Sequence, residues 1–312
     1  MRHRYGTRFQ SGFCLAIVGL GIGLGFLWLL RVLSLPPRVL PVAPLISSVI
    51  SSPPPVLQYE SRNLGQSTVH ILHIPAQSRF RVTVARSPAV DSLTTLAQAS
   101  GAIAAINGGF FDPSNQQSTS YVIQRGAITD DPTANERLMQ NPDLVPYLPA
   151  ILNRSEFRQY TCRDSIRYEI ARHRDPVAAG CQLISALGGG PQLLPTMTLE
   201  DEGFITTVDG AIVRDPLGSR QPNARSAVGL TREGDVIWMM VAQVDAPSPS
   251  GLPLAAIAEL MAELGANRAM NLDGGSSSAF YYNGETWYGK VDAAGNPVVR
   301  PVKSALVVEP VS

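Results

Sequence analysis

The segment from Met270 to Ala279 constrains the fold and chemistry of this chain more than any other. A short apolar run ends in Asn271 and Asp273, two glycines follow, and three serines come next. The same order of a short apolar run, an asparagine, two glycines and an aspartate occurs at residues 105–112. Because glycine has no β-carbon, a ligand can approach the backbone and its N–H groups there. Both segments therefore predict strand ends that hold a polar, oxygen-rich ligand.

Strands outnumber helices along the rest of the chain. Runs of β-branched and aromatic residues bounded by turn residues predict strands, and Asp91, Gly101 and Gly265 mark the ends of two helices. The sequence therefore predicts an α+β fold, a single domain with a mixed, mostly β central sheet and few helices, in which 68–74 and 80–85 are neighbouring strands. The predicted strands are 68–74, 80–85, 103–106, 121–124, 127–129, 183–187, 225–230, 236–244, 268–272, 279–282 and 298–308, and the predicted helices are 92–99 and 254–264.

The N-terminus carries a membrane signal. Residues 1–12 are basic, and residues 13–33 contain an uncharged run of about 18 residues, near the minimum for crossing a bilayer. This pattern predicts a transmembrane signal-anchor helix with the rest of the chain extracytoplasmic, in the periplasm or at the cell surface. A cleaved signal peptide is the alternative. Residues 34–56 are rich in proline and serine and predict a linker, which leaves residues 57–312 as the folded domain.

Composition and missing motifs exclude several classes of partner. The formal net charge is +0, so nucleic acid is not an expected partner. No glycine-rich segment matches a phosphate loop or a dinucleotide-binding loop, and no nucleophile elbow of a serine hydrolase is present. We therefore predict no cofactor and assign no metal ligands, with a divalent metal ion left open.

Residues 130–180 differ from their surroundings in being polar, with several prolines and arginines. They predict an insertion or lid. Cys162 and Cys181 lie in the exported part and predict a disulfide that ties this excursion, and two unpaired thiols are the alternative. The arginines either meet an anionic ligand or lie on a solvated helix face, and the second interpretation is favoured.

Three carboxylates follow strand ends and are the candidate catalytic groups: Asp273, Asp245 and Asp112. Each could serve acid–base chemistry or simply cap a turn. Arg225 could bind two phosphate oxygens through its planar fork, or form a structural ion pair. The catalytic interpretation requires the side chains of Asp112, Arg225, Asp245 and Asp273 to converge in one cleft. The predicted substrate-binding residues are Asn107, Gly108, Gly109, Gly189, Gly190, Arg225, Asn271, Gly274, Gly275, Ser276 and Ser277.

Four motifs stand out: Ala105-Ile-Asn-Gly-Gly-Phe-Phe-Asp, Gly188-Gly-Gly-Pro-Gln-Leu, Ala224-Arg-Ser-Ala-Val-Gly and Asn271-Leu-Asp-Gly-Gly-Ser-Ser-Ser. Together these motifs resemble the phosphodiester glycosidase domain family, whose bacterial members are exported and often described as exopolysaccharide-related. They span about residues 60–310 and occur in the family's order. One position departs from the pattern, because Ser276 stands where the family commonly has a third glycine.

The resemblance implies hydrolysis of a sugar-1-phosphodiester, which releases the sugar and leaves a phosphomonoester. In our hypothesis Arg225 and the glycine N–H groups hold the phosphate, and Asp273 attacks the anomeric carbon or activates a water. Asp245 is the candidate general acid if one is required. The substrate would be a sugar phosphate or glycan of an exopolysaccharide or cell wall. The alternatives are a non-catalytic glycan- or cell-wall-binding module and a metal-dependent phosphodiesterase.

Overall fold

The structure is a computed structural model that describes residues 55–163, 165–245 and 250–311 of the 312-residue chain. Contacts group Ser52–Ser312 into one compact unit. The predicted transmembrane segment 13–33 and nearly all of the linker 34–56 lie outside the described residues. Within the described ranges no helix has the length and apolar character needed to cross a membrane.

The described part of the chain is mostly β-structure with few helices, as the sequence predicted. The strands are β1 (Gln58–Asn63), β2 (Ser67–Ile74), β3 (Phe80–Asp91), β4 (Ala104–Asn107), β5 (Val122–Gln124), β6 (Ala127–Asp130), β7 (Ser155–Cys162), β8 (Ser165–Arg172), β9 (Cys181–Gly188), β10 (Gln192–Leu194), β11 (Thr206–Val208), β12 (Ala211–Arg214), β13 (Arg225–Leu230), β14 (Val236–Gln243), β15 (Arg268–Asn271), β16 (Ala279–Tyr282), β17 (Glu285–Tyr288) and β18 (Val302–Pro310). The α-helices are α1 (Leu93–Ala99), α2 (Glu136–Met139), α3 (Leu148–Ile151) and α4 (Leu254–Glu263).

The strands form three larger sheets and a short β11–β12 hairpin. The first sheet has the order β1-β2-β14-β13-β15-β10, the second β17-β16-β4-β18-β3, and the third β6-β5-β9-β7-β8. All pairs among the described strands are antiparallel. The prediction of one mixed central sheet is therefore wrong, and so is the pairing of 68–74 with 80–85, because β2 and β3 belong to different sheets. Sequence patterns locate strands, but partners are set by contacts between distant segments.

The main hydrophobic core is formed by side chains from all three larger sheets, and the first two sheets supply most of them. Strand β14 shows the arrangement, since Trp238 and Met240 lie in this core while Ile237 and Met239 point to the opposite face. Side chains alternate between the faces of a strand, so a strand covered on both sides is apolar at consecutive positions. Helix α4 covers the outer face of the first sheet, and α1 covers that of the second. The domain is thus layered as helix, sheet, sheet and helix.

Residues 130–180 are more ordered than the sequence suggested. After the short helices α2 and α3, the chain enters the paired strands β7 and β8 of the third sheet. Arg158 on β7 is 2 % exposed and donates to Glu156, to the hydroxyl of Tyr160 and to three main-chain carbonyl oxygens. A polar strand can be buried when every polar group has a partner. The solvated helix face predicted for these arginines is therefore wrong for Arg158.

The predicted disulfide between Cys162 and Cys181 is confirmed. The two cysteines are direct register partners on β7 and β9, with a Cα–Cα distance of 4.2 Å. The bond therefore joins adjacent strands within the third sheet. It lies at the opposite end of β9 from Gly188, which leads into the glycine-rich turn that follows.

Candidate active site

A cavity of about 370 Å³ opens where the ends of the first and second sheets meet. Strand β15 delivers Asn271 and then Asp273 to this edge, and the antiparallel strand β13 begins there with Arg225. Its polar lining comes from Thr119, Asn223, Asn271, Asp273, Gly274 and Gly275, its positively charged lining from Arg154, Arg214 and Arg225, and its apolar lining from Phe110, Leu138, Leu144, Ile151, Phe204, Pro216 and Leu217.

Among the described residues, Asp273 is the only acidic residue that lines the cavity. Burial raises the pKa of its carboxyl group to about 6, although hydrogen bonds from Ser277 and the Gly274 N–H and the charge of Arg300 act in the opposite direction. The Gly274 N–H donates to its Oδ1 at 2.9 Å. Loss of water disfavours the charged form of a carboxyl group, so this one changes its charge near neutral pH. Such a group suits proton transfer or nucleophilic attack.

Asn107 and Asn271, which the sequence analysis paired, have different positions. Asn107 is fully buried, donates to the main-chain oxygen of Asp273 at 2.7 Å, and accepts from the Ser226 hydroxyl and the Ala279 N–H. It thereby links β4 of the second sheet to the segment that carries Asp273. Asn271 lines the cavity, and its side-chain oxygen is buried without a partner among the described residues. A buried acceptor of this kind costs free energy unless a ligand donates to it.

The glycine N–H groups do not form the predicted phosphate cradle. Each of the six glycine N–H groups in the predicted set already donates to an oxygen of the protein. Backbone amides with internal partners are not available to an anion, so this part of the sequence prediction is wrong. Gly108 donates to Ser304 O, Gly109 to Ser304 Oγ, Gly189 to Ser155 O, Gly190 to Asn271 O, Gly274 to Asp273 Oδ1 and Gly275 to Ala224 O.

The glycines allow the strand ends to approach one another closely. A β-carbon on Gly108 would lie 2.5 Å from Ser304 Oγ, and one on Gly189 would lie 2.8 Å from the methyl carbon of Met270. One on Gly109 would overlap the carbonyl oxygen of Gly188. Gly274 and Gly275 line the cavity, whereas the glycines at 108, 109, 189 and 190 lie behind it and are buried. The four buried glycines therefore allow close packing and do not contact a ligand.

Arg225 lines the cavity but is largely occupied by the protein. Four of its five N–H groups donate to the carbonyl oxygens of Leu217, Gly218, Gln221 and Leu252. Burial lowers the pKa of its guanidinium group to about 10, so it remains charged at neutral pH. The bidentate fork expected from the sequence is therefore not available, although the positive charge lies at the cavity surface.

Two further arginines, which the sequence analysis did not assign to the site, line the same cavity. Arg154 donates to the carbonyl oxygen of Glu202, and Arg214 donates to that of Gly203. The guanidinium carbon of Arg154 lies 3.7 Å from the ring centre of Phe204, and that of Arg214 lies 4.3 Å from the ring centre of Tyr147. Burial and the charge of Arg214 lower the pKa of Arg154 to about 9 despite the opposing charge of Glu202.

A fully buried carboxylate fixes the turn that holds these arginines. Glu202 is 0 % exposed and accepts from the N–H and hydroxyl of Ser155, from the Gln192 N–H and from the Thr198 hydroxyl. It therefore connects the start of β7 with the segment after the glycine-rich turn. Because consecutive carbonyl groups of this turn orient Arg154 and Arg214, Glu202 positions both side chains.

The serines after Gly275 support the site from outside the cavity lining. The hydroxyl of Ser276 accepts from Arg300 at 2.9 Å, and Arg300 lies over the ring of Phe111. Ser277 is buried and hydrogen-bonds the carboxylate of Asp273. The serine that departs from the family pattern is therefore held by an arginine whose charge also acts on Asp273.

Only two of the four residues that were predicted to share one cleft line the same cavity. Asp273 and Arg225 share the cavity, whereas Asp112 and Asp245 do not line it. Asp112 accepts from Arg137 and from the Ser114 N–H, as expected of a turn-capping aspartate. Asp245 is exposed and lies against Gly295. The structure therefore gives neither of these two carboxylates contact with a ligand in this cavity, and no second carboxylate of the described lining accompanies Asp273.

The cavity residues that were not predicted differ in how far the sequence indicates them. Arg154 belongs to the arginine-rich stretch within residues 130–180, and the charge of that stretch is a signal for anion binding. Arg214, Glu202 and Phe204 lie in a segment without a motif, and only the fold brings them to the site. Among the described residues no group of three or more His, Cys, Asp or Glu side chains is arranged to hold a metal ion.

Several solved structures share the fold of this chain. The zebrafish N-acetylglucosamine-1-phosphodiester alpha-N-acetylglucosaminidase catalytic domain, solved as auto-inhibited by its pro-peptide, has a similar fold with a TM-score of 0.56 and 17% identity, over 81% of this chain and 82% of that chain. A protein from Burkholderia pseudomallei gives a TM-score of 0.56 at 14% identity, over 78% of this chain and 74% of that chain. A hypothetical protein from Synechocystis gives 0.53 at 16% identity over 81% of this chain, and the match spans 62% of the Synechocystis chain, which is less than two thirds.

A search of curated proteins finds no match. The family model described as phosphodiester glycosidase matches residues 100–309, which is most of the chain and includes every residue of the cavity lining. The chain therefore belongs to the phosphodiester glycosidase family.

Proposed function

We propose that this protein is a hydrolase that cleaves the bond between the anomeric carbon of a sugar and the phosphate of a sugar-1-phosphodiester. The observation that carries the proposal is the meeting of Asp273, whose pKa is raised to about 6, with Arg154, Arg214 and Arg225 in one cavity. Membership of the phosphodiester glycosidase family supports the same reaction class.

The three arginines provide the charge that a phosphodiester needs. Arg154, Arg214 and Arg225 donate to main-chain carbonyl oxygens, and within the described ranges none of them forms an ion pair with a carboxylate. Arg225 is buried and Arg154 and Arg214 are half-buried, and positive charges that lie close together without salt bridges favour an anion between them. Guanidinium groups bind phosphate oxygens by charge-assisted hydrogen bonds, and the terminal nitrogens of Arg154 have no other acceptor among the described residues.

Asp273 supplies the chemistry at the anomeric carbon. In one route its carboxylate removes a proton from water, the water oxygen forms a bond to the anomeric carbon, and the electron pair of the broken C–O bond leaves with the phosphate. In the other route a carboxylate oxygen of Asp273 bonds to the anomeric carbon directly, and the C–O bond to the phosphate breaks. Water then hydrolyses the glycosyl-enzyme. A phosphomonoester is already a weak base, so the leaving group does not need a strong proton donor. This accounts for a site with a single carboxylate in its described lining.

The proposal includes an extracytoplasmic, membrane-anchored location and a substrate from an exopolysaccharide or cell wall. Two observations support the location: the apolar segment 13–33 of the sequence, and the disulfide between Cys162 and Cys181. Disulfides persist mainly in oxidising compartments. Fractionation of cells expressing the full chain tests it, because an anchored protein stays in the membrane fraction at full mass and leaves it when residues 1–33 are deleted. A processed protein of lower mass in the soluble fraction contradicts the anchor.

Hydrolysis in water enriched in ¹⁸O tests the reaction. Cleavage at the anomeric carbon places ¹⁸O in the released sugar, whereas a phosphodiesterase places it in the phosphate. We expect labelled sugar, no turnover with Asp273→Asn and retained substrate binding by that variant. Label in the phosphate, or activity lost on chelation, contradicts the glycosidase and supports a metal-dependent phosphodiesterase. If the wild type binds glycan without turnover and Asp273→Asn binds it equally well, the result supports a binding module instead.

A matched pair of arginine substitutions tests the anion site. Arg154→Ala removes a guanidinium group from the cavity, and we expect KM for the phosphodiester to rise by about tenfold to a hundredfold, since a charge-assisted bond to phosphate is worth roughly 1.5–3 kcal/mol. The control Arg174→Ala changes an exposed arginine of the same region that does not line the cavity. Equal KM values for the two variants contradict the assignment of Arg154.

A further inference from the structure

We propose, building on the function above, that a second cleft binds a short acidic stretch of the glycan to which the cleaved sugar phosphate belongs. This β3 cleft has a volume of about 770 Å³ and lies between β3, the edge strand of the second sheet, and strands β5, β7 and β9 of the third. None of its described lining residues also lines the catalytic cavity. Its apolar lining is small and aliphatic, and comes from Val84, Ala85, Leu96, Ala99 and Ile184.

Two glutamine side chains of the cleft each have one amide atom held by the protein and one without a partner. Gln124 donates from Nε2 to the carbonyl oxygen of Val84 at 2.8 Å, and its Oε1 has no partner among the described residues. Gln159 is 4 % exposed and accepts from the Ser185 hydroxyl at 2.8 Å, and its Nε2 has no partner in the same part of the chain. Since a sugar hydroxyl group both donates and accepts, the lining offers it one fixed acceptor and one fixed donor.

The orientation of the Gln159 amide group is set by two hydroxyl groups. The Thr83 hydroxyl donates to Ser185 Oγ at 3.4 Å, so the hydroxyl hydrogen of Ser185 is left for Gln159 Oε1. Nε2 is therefore the free atom, and a largely buried amide donor without an acceptor costs free energy. The hydroxyl groups of Ser100 and Thr129 line the same cleft. An oxygen-rich ligand removes this cost.

The charges of the lining favour an acidic glycan. Arg81 is paired with Glu309 at 3.0 Å, and Arg86 is paired with Asp130 at 3.0 Å. Arg125 is exposed, lines the cleft, and has no side-chain partner within the described ranges. A guanidinium group binds carboxylate or phosphate oxygens by charge-assisted hydrogen bonds. Arg125 is therefore suited to an acidic substituent of a sugar chain.

The edge of β3 is less suited to an extended peptide. Peptides that add to a sheet edge bind through main-chain groups of the edge strand. Here the Val82 N–H donates to the Tyr168 hydroxyl at 2.7 Å, and the Val84 carbonyl oxygen accepts from Gln124. Side chains of the protein thus occupy main-chain groups that an added strand would need, whereas the free groups of the cleft belong to side chains. This arrangement favours a glycan.

The β3 cleft and the catalytic cavity lie close enough for one glycan chain to reach both. Gln124 lines the cleft and Thr119 lines the cavity, and the five residues that separate them along the chain span at most about 18 Å. A ligand held at two sites binds more tightly than at either site alone when its length matches their separation. The cleft therefore lowers KM for a glycan substrate without contact with the reacting atoms.

Binding of short oligosaccharides to the full-length chain in mild detergent tests the cleft. The probes are the acidic and neutral fractions that partial hydrolysis releases from the extracellular polysaccharide and cell wall of the producing cells. We expect the acidic fraction to bind more tightly. Ala99→Tyr places a ring at an exposed position of the lining and should weaken this binding by about tenfold or more. Gln98→Tyr is the control, because Gln98 is exposed on the same helix and does not line the cleft.

A second variant tests the charge of the cleft. Arg125→Asn should weaken binding of the acidic fraction by about two- to fivefold, since water screens an exposed charge, and should leave the neutral fraction unchanged. Asparagine suits this position because Arg125 has a φ of 51°. Equal affinities of Ala99→Tyr and Gln98→Tyr, or no binding by the wild type, overturn the inference. Binding that is lost in Arg154→Ala and kept in Ala99→Tyr places the oligosaccharide in the catalytic cavity and also overturns it.

Kinetics distinguish this inference from the proposed function. With a methyl ester of a sugar 1-phosphate, Ala99→Tyr and the wild type should have equal kcat and KM, because the small ester does not reach the cleft. With phosphodiester-containing glycan fragments of the producing cells, KM of Ala99→Tyr should be higher by about tenfold or more at unchanged kcat. Equal KM values for the fragments overturn the inference, and hydrolysis of the methyl ester still supports the proposed function. Absence of sugar release from both substrates contradicts the proposed function, and the binding experiment then decides on the cleft alone.

Discussion

The carboxyl group of Asp273 is half-buried in the wall of the cavity, and its chemistry follows from that position. Ser277 and the Gly274 N–H stabilise its charge but do not compensate for the loss of solvent, so its pKa is raised to about 6. Asn107 holds its main chain, and the arginines supply positive charge nearby. A carboxylate in this setting is both a better base and a more poorly solvated nucleophile than one in water.

The pH dependence of kcat/KM follows from this pKa. Both routes proposed for Asp273 require the deprotonated form, so kcat/KM should rise about tenfold per pH unit up to about pH 6 and then level. Initial rates from pH 4.5 to 8.5, at substrate concentrations well below KM, measure this profile. A rate that falls as the pH rises through 6 shows that the protonated acid is the active form.

Replacement of Asp273 by asparagine should stabilise the protein while it abolishes turnover. In the unfolded chain the carboxyl group loses its proton near its ordinary pKa of 3.8, whereas in the folded protein it keeps the proton until about pH 6, so folding stability falls as the pH rises between these values. We expect Asp273→Asn to be more stable than the wild type by about 2–3 kcal/mol at pH 7.5, with the difference disappearing below pH 4.

Denaturant unfolding at the two pH values measures this difference. Asp143→Asn serves as the control, because Asp143 is exposed and should change the free energy of unfolding by less than about 0.5 kcal/mol. An Asp273→Asn variant that is less stable than the wild type at pH 7.5 contradicts the unfavourable burial of the charge.

The turn from Thr198 to Phe204 shows how one short segment organises the cavity. Its buried carboxylate, Glu202, joins it to β7, and its carbonyl groups hold two arginines of the site. Phe204 adds the ring on which Arg154 stacks. Because four donors converge on Glu202, the segment has one defined position relative to the sheets.

Glu202→Gln should damage both stability and activity. The amide group places donors against the N–H and hydroxyl groups that now bond the carboxylate, which costs about 2–3 kcal/mol. We expect a lower free energy of unfolding and a higher KM, since Arg154 and Arg214 lose their fixed positions. The neighbouring Asp201 is 73% exposed at its side chain, so Asp201→Asn is the matched control. If the two variants unfold at the same denaturant concentration, Glu202 does not organise the turn.

The whole domain depends on contacts between distant parts of the chain. Side chains from all three larger sheets share one hydrophobic core, and the disulfide joins two strands within the third sheet. The active-site edge lies at the far end of β9 from this bond. Global stability and the geometry of the cavity are therefore separable in this fold.

Removal of the disulfide tests that separation. The bond closes a segment with a sequence separation of 19, so Cys162→Ser combined with Cys181→Ser should lower the free energy of unfolding by about 3 kcal/mol. We expect unchanged kcat/KM at 25 °C and a midpoint of thermal unfolding lower by about 5–10 °C. Reduction of the wild type with dithiothreitol should reproduce the shift. A loss of activity in the folded variant shows that the bond also shapes the cavity.

Several features of the structure could be predicted from local patterns in the sequence. Strands 225–230 and 279–282 were predicted with their observed limits, because alternation and turn residues act over a few neighbours. The disulfide was predicted from two cysteines in an exported region. Strand β7 was missed because its polar residues become buried only through partners such as the main-chain carbonyls around Arg158. No local pattern contains those partners.

The sequence by itself determined the family, the largely β composition and the carboxylate at the end of β15, since motifs and strand patterns are properties of short segments. Only the tertiary structure decided that the glycine N–H groups are occupied, that Asp112 and Asp245 lie outside the cavity, and that Arg154 and Arg214 join it. Hydrogen-bond partners, burial and charge repulsion depend on residues far apart in the chain. The segment around Asp273 is thus a recognisable motif, and its pKa and its charged neighbours are products of the fold.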